Sequence, residues 1–78
     1  MNIKADKKID CLGLFCPEPV FKTRMQLDEM EIGETLEVIA DDPAAKSDIE
    51  HLAENLGQEI VESVQEGNVT RIIIKKVK

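Results

Sequence analysis

Two cysteines, Cys11 and Cys16, have the clearest potential for chemistry in this chain of 78 residues. Cys16 directly precedes Pro17, and Pro19 lies two residues further on. Proline is tolerated in the first turn of a helix, so a helix is predicted to begin near Cys16 or Pro17. Free amide hydrogens and the positive end of the helix dipole stabilise a thiolate at such a position. The pattern therefore predicts a nucleophilic thiol at Cys16.

The residues around Cys16 are expected to present its sulfur. Gly13 ends the preceding strand, and the two prolines stiffen the first helical turn. Glu18 places a carboxylate in the same turn, which opposes ionisation of the thiol unless the carboxylate caps the helix and faces solvent. Presentation of the thiol is thus assigned to four residues: Gly13, Pro17, Glu18 and Pro19.

The sequence leaves two roles open for Cys11. It shares a strand face with Ile9, which favours a buried and unreactive thiol. A disulfide between Cys11 and Cys16 would need Cα atoms within about 7 Å of each other. A strand end and the following helix start can come that close, so Cys11 is also a candidate for a resolving or protective thiol.

Hydrophobic periodicity predicts six elements that position these thiols. Strands are expected over residues 7–12, 35–40, 59–64 and 69–77, where apolar residues alternate or cluster. The first helix should end before Gly33, with Val20, Thr23, Leu27 and Met30 as its buried stripe. A second helix should open at Asp42, which caps it, with Pro43 in its first position and Gly57 at its end.

These elements predict an α/β fold, an α+β two-layer sandwich with the order β-α-β-α-β-β. The last two strands flank Gln65-Glu66-Gly67-Asn68, a connection with the glycine that a hairpin needs, so they should pair antiparallel. Short crossovers return to the same side of a sheet. We therefore expect a four-stranded mixed sheet with both helices on one face and a partly open second face.

Length and composition point to one domain, residues 1–78, because two cores could not form in so short a chain. Residues 1–6 are expected to be a flexible tail and residues 75–78 to be frayed. The net charge of −6 disfavours direct binding of nucleic acid. The absence of a long apolar run and of a signal peptide predicts a cytoplasmic protein that does not contact a membrane.

A metal site is not expected. His51 is the only histidine, and the Cys-x4-Cys spacing does not match the usual zinc patterns. Asp41 and Asp42 are instead interpreted as turn and cap residues. Their loop and that of Cys16 both leave the carboxyl ends of strands, so the two aspartates are expected to lie near Cys16 in the folded chain.

Residues 10–19, Asp-Cys-Leu-Gly-Leu-Phe-Cys-Pro-Glu-Pro, resemble the Cys-Pro-x-Pro signature of the small TusA-like (SirA-like) sulfur-carrier proteins. The resemblance extends to residues 33–38, residues 40–44 and the closing hairpin. It implies the same two-layer fold. It also implies that Cys16 accepts a sulfane sulfur as a persulfide, without a cofactor, and passes it on in tRNA thiolation, cofactor sulfuration or sulfur metabolism. A sulfur donor, either a cysteine desulfurase or a rhodanese, and an acceptor protein are the partners implied.

A carrier needs a docking surface around its sulfur rather than a substrate pocket. Leu14, Phe15 and Phe21 are candidate apolar contacts, with core packing as the alternative for Phe21. Arg24 is a candidate charged contact, with a solvated helix face as the alternative. Asp42 is a further candidate contact with a partner.

Two other functions stay open at this stage. A thiol-disulfide redox or regulatory module would use Cys11 together with Cys16. A nucleic-acid-binding domain would use the open sheet face, which the acidic charge disfavours. Replacement of Cys11 by alanine separates carrier from redox module, because only the latter needs the second thiol.

Overall fold

Six elements follow one another in the order β-α-β-α-β-β in a computed structural model that describes residues 5–14 and 18–78. They are β1 (Lys7–Cys11), α1 (Glu18–Glu29), β2 (Thr35–Ala40), α2 (Ala45–Leu56), β3 (Glu59–Glu66) and β4 (Val69–Lys75). The predicted order and element types are confirmed.

The strands form one mixed sheet in the order β1-β2-β4-β3. β1 runs parallel to β2, with Cys11 opposite Ala40. β4 runs antiparallel to both β2 and β3. β2 is therefore central, as the apolar residues on both of its faces predicted, and the carboxyl ends of β1 and β2 lie side by side.

Both helices cover one face of the sheet. That face has Cys11 from β1, alternate residues of β2, and Ile72 and Ile74 from β4 in the core. Leu27 and Met30 from the α1 segment and Ile49 and Ala53 from α2 complete the same cluster. The predicted two-layer sandwich follows, because each amphipathic helix buries its apolar stripe against the apolar face of the sheet.

The predicted stripe of α1 is confirmed at Thr23, Leu27 and Met30, while Val20 is half-buried. Thr23 is fully buried, and its hydroxyl donates to the backbone carbonyl of Pro19 at 2.7 Å. This bond satisfies the buried hydroxyl without a side-chain partner.

The start of α2 differs from the prediction. The helix begins at Ala45, with Ala44 as its cap residue and no side-chain cap bond. Asp42 instead accepts the amide hydrogen of Ala44 at 3.0 Å, two residues on, which forms a turn ahead of the helix. Pro43 therefore lies in this turn and not in the helix. The predicted end at Gly57 is confirmed, with φ of 75°.

The closing hairpin is tighter than predicted. β3 continues to Glu66 and β4 begins at Val69, so two residues connect the strands and not four. Gly67 has a φ of 58°, which suits the sharp two-residue turns that join paired strands. A register shift between Ile60 and Glu62 marks an irregularity in β3.

Both ends of the described chain are held by hydrogen bonds. Asp6, expected in a flexible tail, donates its amide to Thr35 Oγ1 at 3.1 Å, and its carboxylate accepts the amide of Thr35 at 3.0 Å. Residues 75–78 were expected to fray; in the structure, Gln58 Oε1 accepts the amides of Val77 and Lys78 at 2.8 and 3.2 Å.

The second face of the sheet has no helix among the described elements. A row of charged side chains crosses it: Lys8 and Arg71 both pair with Glu37, at 3.6 and 3.9 Å, and Arg71 also pairs with Glu62 at 3.6 Å. Ile73, which lies opposite Glu37 and Glu62 in the register, is fully buried within this row. This face therefore combines ion pairs with apolar side chains, since Ile39, Val64 and Val69 line a groove beside Arg71.

Candidate functional site

The predicted nucleophile, Cys16, lies outside the described residues together with its neighbours Phe15 and Pro17. The structure describes the chain on either side, from β1 to Leu14 and from Glu18 onward. The geometry below therefore concerns the turn that precedes the nucleophile and the helix that follows it.

The turn after β1 is held at three consecutive backbone amides. Leu12 N donates to Asp10 Oδ1 at 2.9 Å, and Leu14 N donates to the Cys11 carbonyl at 3.1 Å. Between them, Gly13 N donates to Asp41 Oδ1 at 2.9 Å. Gly13 has a φ of 80°, a backbone conformation that glycine adopts without steric cost. The turn that leads toward the predicted nucleophile is thus an ordered structure.

Asp41 and Asp42 have different tasks, although both were interpreted as turn and cap residues. Asp41 bridges to the neighbouring loop through Gly13, because the carboxyl ends of β1 and β2 are adjacent. Asp42 accepts a hydrogen bond within its own turn, from Ala44. Within residues 5–14 and 18–78, the hydrogen bond from Gly13 to Asp41 connects the two loops.

Cys11 is a core residue. Its side chain is fully buried, and it belongs to the cluster between the sheet and the helices. Burial raises the pKa of the Cys11 thiol above its ordinary value, and Lys22 only partly offsets this effect. A neutral buried thiol is a poor nucleophile. This arrangement agrees with the buried reading of Cys11 and gives no support to a resolving role.

The first turn of α1 contains two of the three described residues to which presentation of the thiol was assigned, the third being Gly13. Glu18 is exposed and is the first residue of the helix. Pro19 is fully buried, and its carbonyl accepts the hydroxyl of Thr23. Pro19 therefore anchors the helix start in the core, while Glu18 faces solvent.

The outer face of α1 carries exposed apolar and basic side chains. Phe21 is 57% exposed, which excludes the core-packing alternative for it. Met25, one turn further on, is 63% exposed. Arg24 is exposed and forms no ion pair within the described part of the chain. These three residues, Phe21, Arg24 and Met25, are called the α1 face below.

Sequence analysis predicted Leu14, and not Leu12, as a docking contact. Leu14, a predicted docking contact, is partly buried and packs against the core cluster. Leu12 is 47% exposed in the turn after β1. Sequence analysis also missed Met25, although its spacing of four from Phe21 was a readable signal that both lie on one side of the helix.

Neither a metal centre nor a membrane-spanning helix is found in the described residues. No group of three or more histidine, cysteine, aspartate or glutamate side chains among them is arranged to hold a metal ion. Within the same residues, no helix has the length and apolar character needed to cross a bilayer.

The chain forms a small two-layer sandwich, with a glycine turn ahead of its Cys-Pro-Glu-Pro sequence. Residues 7–76 match the family model described as Sulfurtransferase TusA. The chain therefore belongs to the TusA family.

Similar proteins support this membership. A protein of Archaeoglobus fulgidus, provisionally named a sulfur carrier protein, is 53% identical over 73 residues, which cover 92% of this chain and 95% of that protein. The sulfur carrier protein TusA of Allochromatium vinosum is 38% identical over 71 residues, or 91% and 93% of the two chains. The crystal structure of a SirA-like protein from Desulfitobacterium hafniense superposes with a TM-score of 0.81 at 27% identity, covering 92% of this chain and 99% of that one.

Proposed function

We propose that this protein is a sulfur carrier that holds a sulfane sulfur as a persulfide on Cys16 and delivers it to an acceptor protein. The match of residues 7–76 to the TusA family carries the proposal, because this span includes the Cys-Pro-Glu-Pro sequence. The fold supports it as well: a chain of this size offers a thiol and a docking surface, and the partners supply the rest of the chemistry.

The loading step needs no cofactor and no external oxidant. The Cys16 thiolate attacks the terminal sulfur of a persulfide on the donor's cysteine. The sulfur–sulfur bond in the donor breaks as a new one forms on Cys16, and the donor cysteine leaves as a thiolate. The transferred sulfur keeps its proton. Delivery repeats the exchange with the acceptor's nucleophile, after which Cys16 is again a thiolate.

The α1 face is the docking surface that we propose for the partners. Phe21 and Arg24 were predicted contacts, and their exposure leaves them free to bind another protein. Phe15 and Asp42 are proposed as further contacts. The donor is a cysteine desulfurase or rhodanese in the cytoplasm, and the acceptor belongs to tRNA thiolation, cofactor sulfuration or sulfur metabolism.

A thiol-disulfide module that uses Cys11 with Cys16 is the alternative function. The complete burial of Cys11 and its raised pKa count against it, because exchange requires an accessible thiolate. Protection of the Cys16 thiol by Cys11 would require the core to open first.

The experiment is sulfur loading of three proteins by a cysteine desulfurase with labelled cysteine and no reductant. The parent and Cys11→Ala should each gain one sulfur atom on Cys16 by intact mass and peptide mapping. Cys16→Ser should fold, bind the donor and gain none, because a hydroxyl is not a soft, ionisable nucleophile. If Cys16→Ser gains sulfur, or if a folded Cys11→Ala does not, the carrier proposal is wrong and the thiol-disulfide module is favoured.

A further inference from the structure

The hydrogen bond between Gly13 and Asp41 joins two loops that are 28 residues apart in the chain. Gly13 N lies 2.9 Å from Asp41 Oδ1. Asp41 directly follows Ala40, and Ala40 is the register partner of Cys11 at the end of β1. The carboxylate thus spans from the end of one parallel strand to the turn after its neighbour.

This contact has no evident task in the local structure of β2 or α2. The turn ahead of α2 is closed by Asp42, which accepts the Ala44 amide through its side chain and the Ala45 amide through its carbonyl. The hydrogen bond that the structure gives to the Asp41 carboxylate is the one from Gly13. The Asp41 carboxylate therefore stabilises the turn after β1 rather than the loop that contains Asp41.

The turn after β1 receives this bond in addition to the two bonds within it. Its left-handed residue is Gly13, and a Cβ placed there would meet no atom within 4 Å. The glycine is thus required by backbone conformation and not by lack of space. Glycine also has the most conformational freedom to lose. The bond from the facing loop therefore adds a restraint at this position to the local bonds of Leu12 and Leu14.

We propose that Asp41 is a positioning residue for Cys16, which lies three residues after Gly13 in the chain. It holds the Gly13 amide and so keeps the turn that leads to the thiol in one conformation. This inference rests on the proposed function for its purpose, since ordering of the turn matters only if Cys16 reacts. The reacting thiol must meet a sulfur on another protein, so a fixed approach favours transfer.

The test compares Asp41→Ala with Asp41→Asn. Both variants lack the charge of Asp41, but asparagine keeps a side-chain oxygen that can accept the Gly13 amide. The difference between them therefore isolates the hydrogen bond from the electrostatic effect. Three quantities are measured on each: hydrogen exchange at the Gly13 amide, the rate of Cys16 alkylation by iodoacetamide, and kcat and KM for loading by the desulfurase.

Hydrogen exchange at the Gly13 amide should be about two- to tenfold faster in Asp41→Ala than in Asp41→Asn. This range corresponds to the loss of a hydrogen bond of ordinary strength. Alkylation of Cys16 and kcat for loading should be slower in Asp41→Ala by a similar factor, with KM nearly unchanged. Glu54→Ala, which removes an exposed carboxylate from α2, should match the parent in all three. Equal Gly13 exchange or equal Cys16 alkylation in the two Asp41 variants would overturn the inference.

A second variant covers failure of Asp41→Ala to fold. Gly13→Ala disturbs the same turn from the other side, because its φ of 80° is strained for alanine. It should slow loading and alkylation relative to the parent while Asp41 is intact, and parent-like rates would count against the inference. The alkylation arm needs no donor, so it tests Asp41 even if the parent gains no sulfur, a result that would instead refute the proposed function.

Discussion

Packing around Cys11 makes its chemistry different from that expected of Cys16. Cys11 lies in the core, where desolvation favours its neutral form and raises the pKa of its thiol. The next two residues, Leu12 and Gly13, are exposed. At the scale of single residues, Cys11 is therefore a structural residue.

We expect iodoacetamide to label Cys16 in the native protein at least about 100-fold faster than Cys11, because a buried thiol reacts only when the structure opens. Mass spectrometry of digested samples over time gives both rates. In denaturant the two thiols should react at similar rates. Similar rates in native buffer would show that Cys11 is accessible.

The raised pKa of Cys11 also determines the direction in which the free energy of unfolding changes with pH. The unfolded thiol ionises near its ordinary value of 9.0, whereas the folded thiol stays neutral to higher pH. Its contribution to stability is therefore present below pH 9.0 and falls as pH rises above it. The free energy of unfolding should decline less steeply above pH 9 in Cys11→Ala than in the parent.

At the scale of elements, the carboxyl end of α1 contacts the charged side chain of Lys76, the residue that follows β4. The last turn of α1 contains no basic residue and has Asp28 and Glu29, which are unfavourable at the negative end of a helix. Lys76 Nζ lies 2.6 Å from the Leu27 carbonyl and 2.8 Å from the Met30 carbonyl. This lysine therefore caps the carboxyl end of α1 from a different element.

Lys76→Met should lower the free energy of unfolding by about 1–3 kcal/mol, because it keeps the apolar stem but removes the charge and both hydrogen bonds. Urea denaturation followed by circular dichroism measures the change. Lys75→Met is the matched control, since Lys75 is exposed on β4, and it should alter stability by less than about 0.5 kcal/mol. Equal effects would mean that the loss of Lys76 acts only through net charge.

At the scale of the whole molecule, the two surfaces of the sandwich differ. The open sheet face is crossed by ion pairs of Lys8 and Arg71 with glutamates. The helix layer instead exposes Phe21 and Met25 on the α1 face. Exposed large apolar residues on a small acidic protein are a feature of surfaces that bind partners. We therefore expect partners to bind α1 rather than the sheet.

Phe21→Ser and Met25→Ser should each weaken binding to the donor desulfurase by about fivefold or more, the effect expected when a central apolar contact is lost. Isothermal calorimetry with the Cys16→Ser background isolates binding from transfer. Ile32→Ser provides the control, because Ile32 is 69% exposed but lies in the turn after α1. If Ile32→Ser weakens binding as much as Phe21→Ser, the α1 face is not the specific docking surface.

Much of the architecture could be predicted because its causes are local. Alternation of apolar residues in 35–40 and helical spacing of Thr23, Leu27 and Met30 each depend on a few neighbouring residues, and the structure confirms both. The order of the elements then limits the ways in which they can pack. The errors occurred where local signals compete, as at Asp42, which closes a turn before α2 instead of capping the helix.

The sequence alone determined the resemblance to the TusA family, the element order and the assignment of Cys11 to an apolar strand face. Tertiary structure decided the contacts between segments distant in the chain. It brought Asp41 to Gly13 and Lys76 to the end of α1, and it left Phe21 exposed while Leu14 packs inside. A periodic pattern shows which face of an element is apolar, but a hydrogen bond between two loops depends on the strand order and register that bring their backbones together.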